Sequence, residues 1–379
     1  MIVGVDIRPL VEKTLTGVGH ATYSLILEMI QDNSIEWYLY YNRGKKSCEP
    51  RILQTLMMYP RVHIISTEYP NKLVNLGFRM GFLKLDSLIK AKAKIRHIDW
   101  LILPNLGFIK VSKHTRIMLM IHDLSFKRFP NFFSKKRLWW HRALGPRNLI
   151  TRADILVVPS ENTRKDLHKM YDIDVSRVHV VPHGKIEKED DTRTQITIPK
   201  DFFLALSTIE PRKNFEGLVS AYKESGLHAR GIELLIIGAR GWRYRKVLKS
   251  FAQTPGITYL GYVADTDKKV LLSHAKALIY PSFYEGFGLP VLEAFCYGTP
   301  VITSDRSSLP DICNGAAYLV RPHMVSDMVH ALRDIAFNEK LRDWYGTKGR
   351  ERGEYFSWAA SGNQVLFLLH STSLYHTSV

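Results

Sequence analysis

A chain of 379 residues with 45% hydrophobic content is long for one core and sufficient for two, so two domains of ordinary size are expected. Cys48, Cys296 and Cys313 are odd in number and far apart without CxxC or Cys/His spacing, so neither a disulfide scaffold nor a zinc centre is supported; no run reaches the roughly 18 apolar residues of a membrane span and MIVGVDIRPL does not read as a secretion leader, so a soluble cytoplasmic location is expected. The formal charge of +17 is uneven, with 31 Lys and Arg against 18 Asp and Glu in residues 1–190 and 22 against 18 in the remainder, so the first half is expected to meet something anionic.

Along the first half, apolar runs at 1–7, 36–41, 62–66, 99–103, 116–121, 154–158 and 178–181 alternate with polar or amphipathic stretches. This βα alternation predicts a mostly parallel sheet covered by helices. Within it, 71–97 mixes Leu, Phe and Met with Lys72, Arg79, Lys84, Lys90, Lys92, Lys94 and Arg96 against a single acid, Asp86. Such a stretch suits a basic amphipathic helix on an anionic bilayer, and equally a solvated face of a basic protein. Nucleic acid is not the expected partner, because no helix-turn-helix, RNA-binding or zinc-finger pattern accompanies the charge. The polar stretch 183–200 reads as a linker, after which strands are expected at 202–207, 232–238, 257–262, 276–281, 300–305 and 316–320. The fold class is therefore α/β, two tandem Rossmann-like doubly wound domains, with ligands at the carboxyl ends of the strands and in a cleft between the domains.

Four segments fall at such strand ends. After the first strand, Gly17 and Gly19 precede an apolar-periodic helix, where glycine lets a ligand approach and the helix N-terminus favours an anion; a purely structural turn is the alternative. A nicotinamide fingerprint would need a third glycine where Thr22 stands and an acid after the second strand, where Arg43 stands. His122 and Asp123 follow the 116–121 strand, as a binding or catalytic pair or as a capping Asp beside an incidental His. In Glu210-Pro211-Arg212-Lys213-Asn214, the adjacent cations Arg212 and Lys213 suit a diphosphate, with a solvated basic turn as the alternative.

The fourth segment is PSFYEGFGLPVLEAFCYG (281–298). Gly286 and Gly288 permit tight backbone geometry, Pro290 suits a helix start, and the exposed amides there can hold phosphate oxygens. Glu285 lies just before that helix and Glu293 about one turn inside it. Carboxylates repel phosphate but accept hydroxyls, so a ligand with a sugar, a diphosphate and a ribose fits the whole segment. The two acids of a glycosidase are the competing use, but those would face one another across a sugar, without a diphosphate site beside one of them.

The spacing of Glu285 and Glu293, together with IEPRKN, IIGARGWR, LGYVADTDKKVLLSHAKALIYPS, MIHDLSF and VVPSENTRKDL followed by VVPHG, resembles the retaining glycosyltransferases of family 4, which have the GT-B fold. The resemblance covers nearly the whole chain and implies an acceptor and membrane-facing domain over 1–190, a nucleotide-sugar domain over 191–355 and a C-terminal helix over 356–379 crossing back to the first domain. It implies that Arg212 and Lys213 hold the donor diphosphate and that Glu285 binds donor-sugar hydroxyls beside the backbone of Gly286, Phe287 and Gly288. Leu289 would give its amide to phosphate, Glu293 would bind the ribose, Val263 would lie by the base, His122 near the transferred sugar, and Gly19 near the phosphate. Cys296 and Tyr297 depart from the small residues usual in the family. No Asp-x-Asp metal pair stands at a strand end, and the resemblance implies no cofactor and no metal. It is similar to bacterial mannosyltransferases that extend O-antigen or capsule chains, implying GDP-mannose as donor, a polyprenyl-diphosphate-linked saccharide as acceptor, and a peripheral place on the inner face of the cell membrane. A UDP-linked hexose is the alternative donor, and a non-catalytic anion- or nucleic-acid-binding protein is the alternative from another class.

Overall fold

The computed structural model describes every residue except 12–14, 44–47, 187–193, 195 and 375–379, so part of the expected linker at 183–200 lies outside the described residues. The chain forms two compact units. The first comprises Met1–Leu124, Lys136–Gly184 and Ser357–Val379; the second comprises Ser125–Lys135 and Lys185–Phe356.

In the first unit the strands are β1 Ile2–Asp6, β2 Glu36–Asn42, β3 Val62–Thr67, β4 Trp100–Leu103, β5 Arg116–Met120, β6 Ile155–Val158 and β7 Val178–Val180. They pair in the order β3-β2-β1-β4-β5-β6-β7, every pair parallel. In the second unit β8 Phe202–Leu206, β9 Glu233–Ile237, β10 Ile257–Gly261, β11 Leu278–Tyr280, β12 Val301–Ser304 and β13 Tyr318–Val320 pair in the order β10-β9-β8-β11-β12-β13, again all parallel. Each of these strands among the described residues was expected from sequence, with ends that differ by at most two residues.

The parallel arrangement follows from strands that are apolar at successive positions rather than alternate ones. In β8, Phe203 and Ala205 join one buried cluster while Phe202 and Leu204 join the other, so both faces of the sheet are covered by helices. The order of each sheet reverses once, between β1 and β4 in the first unit and between β8 and β11 in the second. The crevice at such a reversal lies past the carboxyl ends of the two strands, which is where a doubly wound sheet receives its ligand.

Three features depart from the expected organisation. The stretch 125–135, expected inside a first domain running to 190, clusters with the second unit. Its phenylalanines account for this: Phe132 stacks on Phe283 and Phe133 on Trp242, with ring centroids 5.5 and 5.3 Å apart, and the Trp242 indole donates to the Phe132 carbonyl at 2.7 Å. The basic stretch 71–97 is two helices, Asn71–Met80 and Leu85–Ala93, because Gly81 ends the first in the left-handed conformation at φ 82°. Asp86 is fully buried, pairs with Lys90 at 3.1 Å and accepts from Ser112 and Thr115, so it anchors the second helix rather than lying on a solvated face.

The C-terminal helix Trp358–Leu374 belongs to the first unit, where Val365 and Leu369 are fully buried in the core. Gly362 allows that approach, since a Cβ there would lie 2.5 Å from the Cβ of Glu28 on the helix Gly17–Met29. Among the described residues, no helix is long and apolar enough to cross a membrane.

Candidate functional site

In the second unit, the sheet reversal brings together side chains more than seventy positions apart. The chain leaving β8 makes a single turn of 3-10 helix, Pro211–Lys213, and the chain leaving the adjacent β11 carries Glu285. Glu285 Oε2 accepts from Arg212 Nη1 at 2.7 Å and Oε1 from Lys213 Nζ at 2.6 Å, while Lys213 Nζ also donates to the Tyr280 hydroxyl at 2.7 Å. Glu210 holds the other edge of the guanidinium, accepting from Nε at 2.9 Å and from Nη2 at 2.7 Å. Asn214, at φ 58°, ends the turn and starts the next helix.

The electrostatics of the cluster are those of buried, mutually neutralising charges. Burial alone would push the Glu285 carboxyl up, yet Arg212 and Lys213 hold it at about 2. Burial and the neighbouring Arg212 lower Lys213, and burial raises Glu210 above the usual carboxylate range.

Gly286, Phe287 and Gly288 continue the loop into the helix Leu289–Tyr297. Gly288 is required there, with φ at 131° and a Cβ position only 2.9 Å from Leu309. Leu289 opens the helix and Pro290 follows it, one position later than the sequence suggests. The loop is pinned by two residues that sequence reasoning missed. Ser307 Oγ accepts from the Glu285 amide at 2.9 Å, and Ser308 Oγ donates to the carbonyls of Glu285 and Phe287. The only signal for them is the polar Arg306-Ser307-Ser308 run after β12. Glu293, expected at a ribose, accepts from Lys268 Nζ at 3.0 Å, and Lys268 also pairs with Asp265 at 3.2 Å. Burial works against the Lys268 charge, but Glu293 and Asp265 raise its pKa overall. Lys268 lies on the helix Asp265–His274, and Val263 stands half-buried just before it.

In the first unit, His122 follows β5 and donates its Nε2 proton to the Pro104 carbonyl at 2.8 Å, which fixes the tautomer. Its ring is 5.4 Å from that of His183, which in turn lies 5.5 Å from Trp358 of the C-terminal helix. Loss of hydration keeps both histidines below the ordinary value, His183 further because His122 adjoins it. Gly17 and Gly19 correct the expectation that they precede the helix. Both lie in its first turn, Thr16 Oγ1 accepts from the Gly19 amide, and a Cβ on Gly19 would meet the Pro9 carbonyl oxygen at 3.1 Å. The close approach that Gly19 permits is to its own chain.

The first unit also holds a cavity of about 830 Å³ at the β1/β4 reversal, lined among others by Asp6, Arg8, Asn42, Asn71, Asn105 and Trp140. Arg8 grips Asp6 with Nε at 2.9 Å and Nη2 at 2.7 Å. None of these was singled out from sequence, although Asp6 ends the first strand and Arg8 follows it two positions later. Among the described residues no group of three or more His, Cys, Asp or Glu is placed to hold a metal ion.

Two parallel doubly wound units, each carrying polar groups at its sheet reversal, give the chain a fold of the GT-B class. Residues 16–185 match the family model described as Glycosyltransferase Family 4, and residues 187–352 match the one described as Glycosyl transferases group 1. The two models adjoin and cover most of the chain, which therefore belongs to the glycosyltransferases composed of these two domains. The O-antigen chain mannosyltransferase B of Escherichia coli is 24% identical over 379 residues, spanning 93% of this chain and 95% of that protein. The serotype-specific mannosyltransferase WbdA of Escherichia coli is 29% identical over 236 residues, which are 57% of this chain but 28% of that protein. Among solved structures, Anabaena Alr3699/HepE in complex with UDP and glucose superposes with a TM-score of 0.71 at 14% identity, over 98% of this chain and 100% of that one.

Proposed function

We propose that this glycosyltransferase moves mannose from GDP-mannose, with retention at the anomeric carbon, onto a lipid-linked saccharide in O-antigen or related polysaccharide synthesis. The observation that carries the reading is the convergence of Arg212, Lys213 and Glu285 beside the start of the helix Leu289–Tyr297. Arg212, Lys213 and the first amides of that helix would hold the diphosphate, Glu285 the sugar hydroxyls, Glu293 the ribose, and Val263 would lie by the base. In the transfer, the bond from anomeric carbon to diphosphate breaks, the acceptor oxygen bonds to that carbon on the same face, and its proton passes to the departing phosphate oxygen. Cations concentrated where negative charge develops on the leaving group stabilise the transition state more than the ground state, so the reaction is read as independent of a metal and of any cofactor. Similarity to O-antigen mannosyltransferases supports mannose over glucose; a UDP-linked hexose is the second reading, favoured by the UDP and glucose held in the Anabaena structure.

The acceptor is assigned to the cavity of the first unit. Asparagine amides and the Asp6–Arg8 pair suit hydroxyl-rich ligands, and the Trp140 ring offers a face on which a sugar can pack. Its lipid end implies a membrane surface, for which the first unit offers exposed Leu73, Leu76, Met80 and Phe82 among Lys72, Arg79 and Lys84.

A screen of GDP- and UDP-sugars by thermal shift, followed by transfer assays with the stabilising donor, tests the reading. GDP-mannose is expected to raise the midpoint and to be consumed. Transfer that persists in the Lys213→Ala, Glu285→Ala double variant rejects the site, and absence of any nucleotide-sugar turnover favours a non-catalytic anion-binding protein.

A further inference from the structure

The cations assigned to the donor diphosphate are already bound to acid. Glu285 is 6% exposed and bridges Arg212 and Lys213 with one oxygen each, at the separations phosphate oxygens would take. Glu210 covers the far edge of Arg212, so two positive charges meet two negative ones. A diphosphate approaching these cations therefore arrives where a carboxylate stands. The carboxylate it displaces is buried, and a buried charge without partners is costly.

On the donor reading above, we infer that Glu285 occupies the place of the donor diphosphate and is released only when a donor sugar offers hydroxyls to receive it, so that the site distinguishes a sugar-loaded donor from a spent nucleoside diphosphate. A loaded donor supplies both halves of the exchange: phosphate oxygens go to Arg212 and Lys213, and sugar hydroxyls donate to Glu285. A spent nucleotide supplies only the first half and leaves an ionised carboxylate facing its own negative charge. Glu210 takes no part in the exchange, because it holds the guanidinium from the side away from Glu285. Product release is then helped by the return of Glu285 to its cations once the sugar has gone.

Isothermal titration of GDP, UDP, GDP-mannose and UDP-glucose into wild type and Glu285→Gln tests this. The amide no longer repels phosphate, so the matching nucleoside diphosphate is expected to bind about tenfold more tightly to Glu285→Gln, the scale of removing one buried like charge. The loaded donor is expected to bind no better, so the ratio of the two dissociation constants shifts about tenfold. Glu210→Gln, which frees Arg212 without touching the sugar, is expected to tighten both ligands alike and leave the ratio unchanged. Should Glu285→Gln not fold, Glu285→Asp, too short to span both cations, is expected to shift the ratio in the same direction by less. Nucleotides that bind wild type and variant with an unchanged ratio overturn the inference alone. Failure of every nucleotide and nucleotide-sugar to bind either protein overturns the donor reading and the inference together.

Discussion

Lys213 shows how much one buried side chain carries. It is 9% exposed, donates to Glu285 and Tyr280, and lies 4.8 Å from the centre of the Tyr280 ring. Truncation to alanine leaves Glu285 with one cation instead of two. On the donor reading, the lost charge matters most as the diphosphate departs. Lys213→Ala is therefore expected to lower kcat by one hundredfold or more, on the order of the loss of one preorganised electrostatic group, while KM for the acceptor changes little. Steady-state kinetics with both substrates varied measure the split, and equal turnover in the two proteins contradicts the role. The residue types were legible in sequence, because adjacent Arg and Lys at a helix entrance and an acid before Gly-x-Gly are unusual local patterns. Their mutual ion pairs were not, since nothing near position 212 in the chain indicates what stands at 285.

Among the elements, the stretch 71–93 has the clearest consequence. Sequence composition suggested one basic helix; Gly81 makes it two, and the burial of Asp86 ties Lys90 inward. Outward on Asn71–Met80 are Leu73, Leu76 and Met80 beside Lys72 and Arg79, with Phe82 in the following turn. Lys92, Lys94 and Arg96 are exposed at and beyond the end of the second helix. If this face meets the bilayer, apolar insertion and charge act separately. Replacing Leu73, Leu76 and Met80 by serine is expected to weaken sedimentation with anionic vesicles at every salt concentration. Replacing Lys92, Lys94 and Arg96 by glutamine is expected to weaken it at low salt only. Unchanged sedimentation of both variants removes the membrane role. The return of the C-terminal helix to the first unit was readable as a family resemblance, whereas the attachment of 125–135 to the second unit was not, because stacking on Phe283 and Trp242 is decided by partners more than a hundred positions away.

At the level of the whole molecule, the titrating groups point to acid sensitivity. His122 and His183 have folded values below the ordinary 6.5, so the unfolded chain binds protons first and their stabilising effect, complete above that value, is lost as pH falls beneath it. Glu285, depressed from 4.5 to about 2, adds stability above 4.5 that is lost as pH falls toward 2. Thermal unfolding across pH is expected to show a midpoint that is flat near neutrality, declines below about 6.5 and declines again below about 4.5. His183→Gln is expected to flatten the first decline, and a wild-type midpoint that stays level from pH 7 to 5 contradicts the assignment.

The order and type of the elements were set locally. Short runs of consecutive apolar residues spaced between amphipathic stretches make the parallel, doubly covered strands here, and the intervening periodicity makes the helices that cover them, so the two doubly wound sheets could be read along the chain. The chemical identity of the groups at the strand ends could be read in the same way. Which strand ends adjoin could not. The reversal that pairs β8 with β11 sets Arg212 and Lys213 against Glu285, and the one that pairs β1 with β4 opens a cavity beside Asp6 and Arg8. Those outcomes depend on packing between residues whose neighbours in sequence reveal only that they are polar or apolar, and they emerge when the sheets assemble.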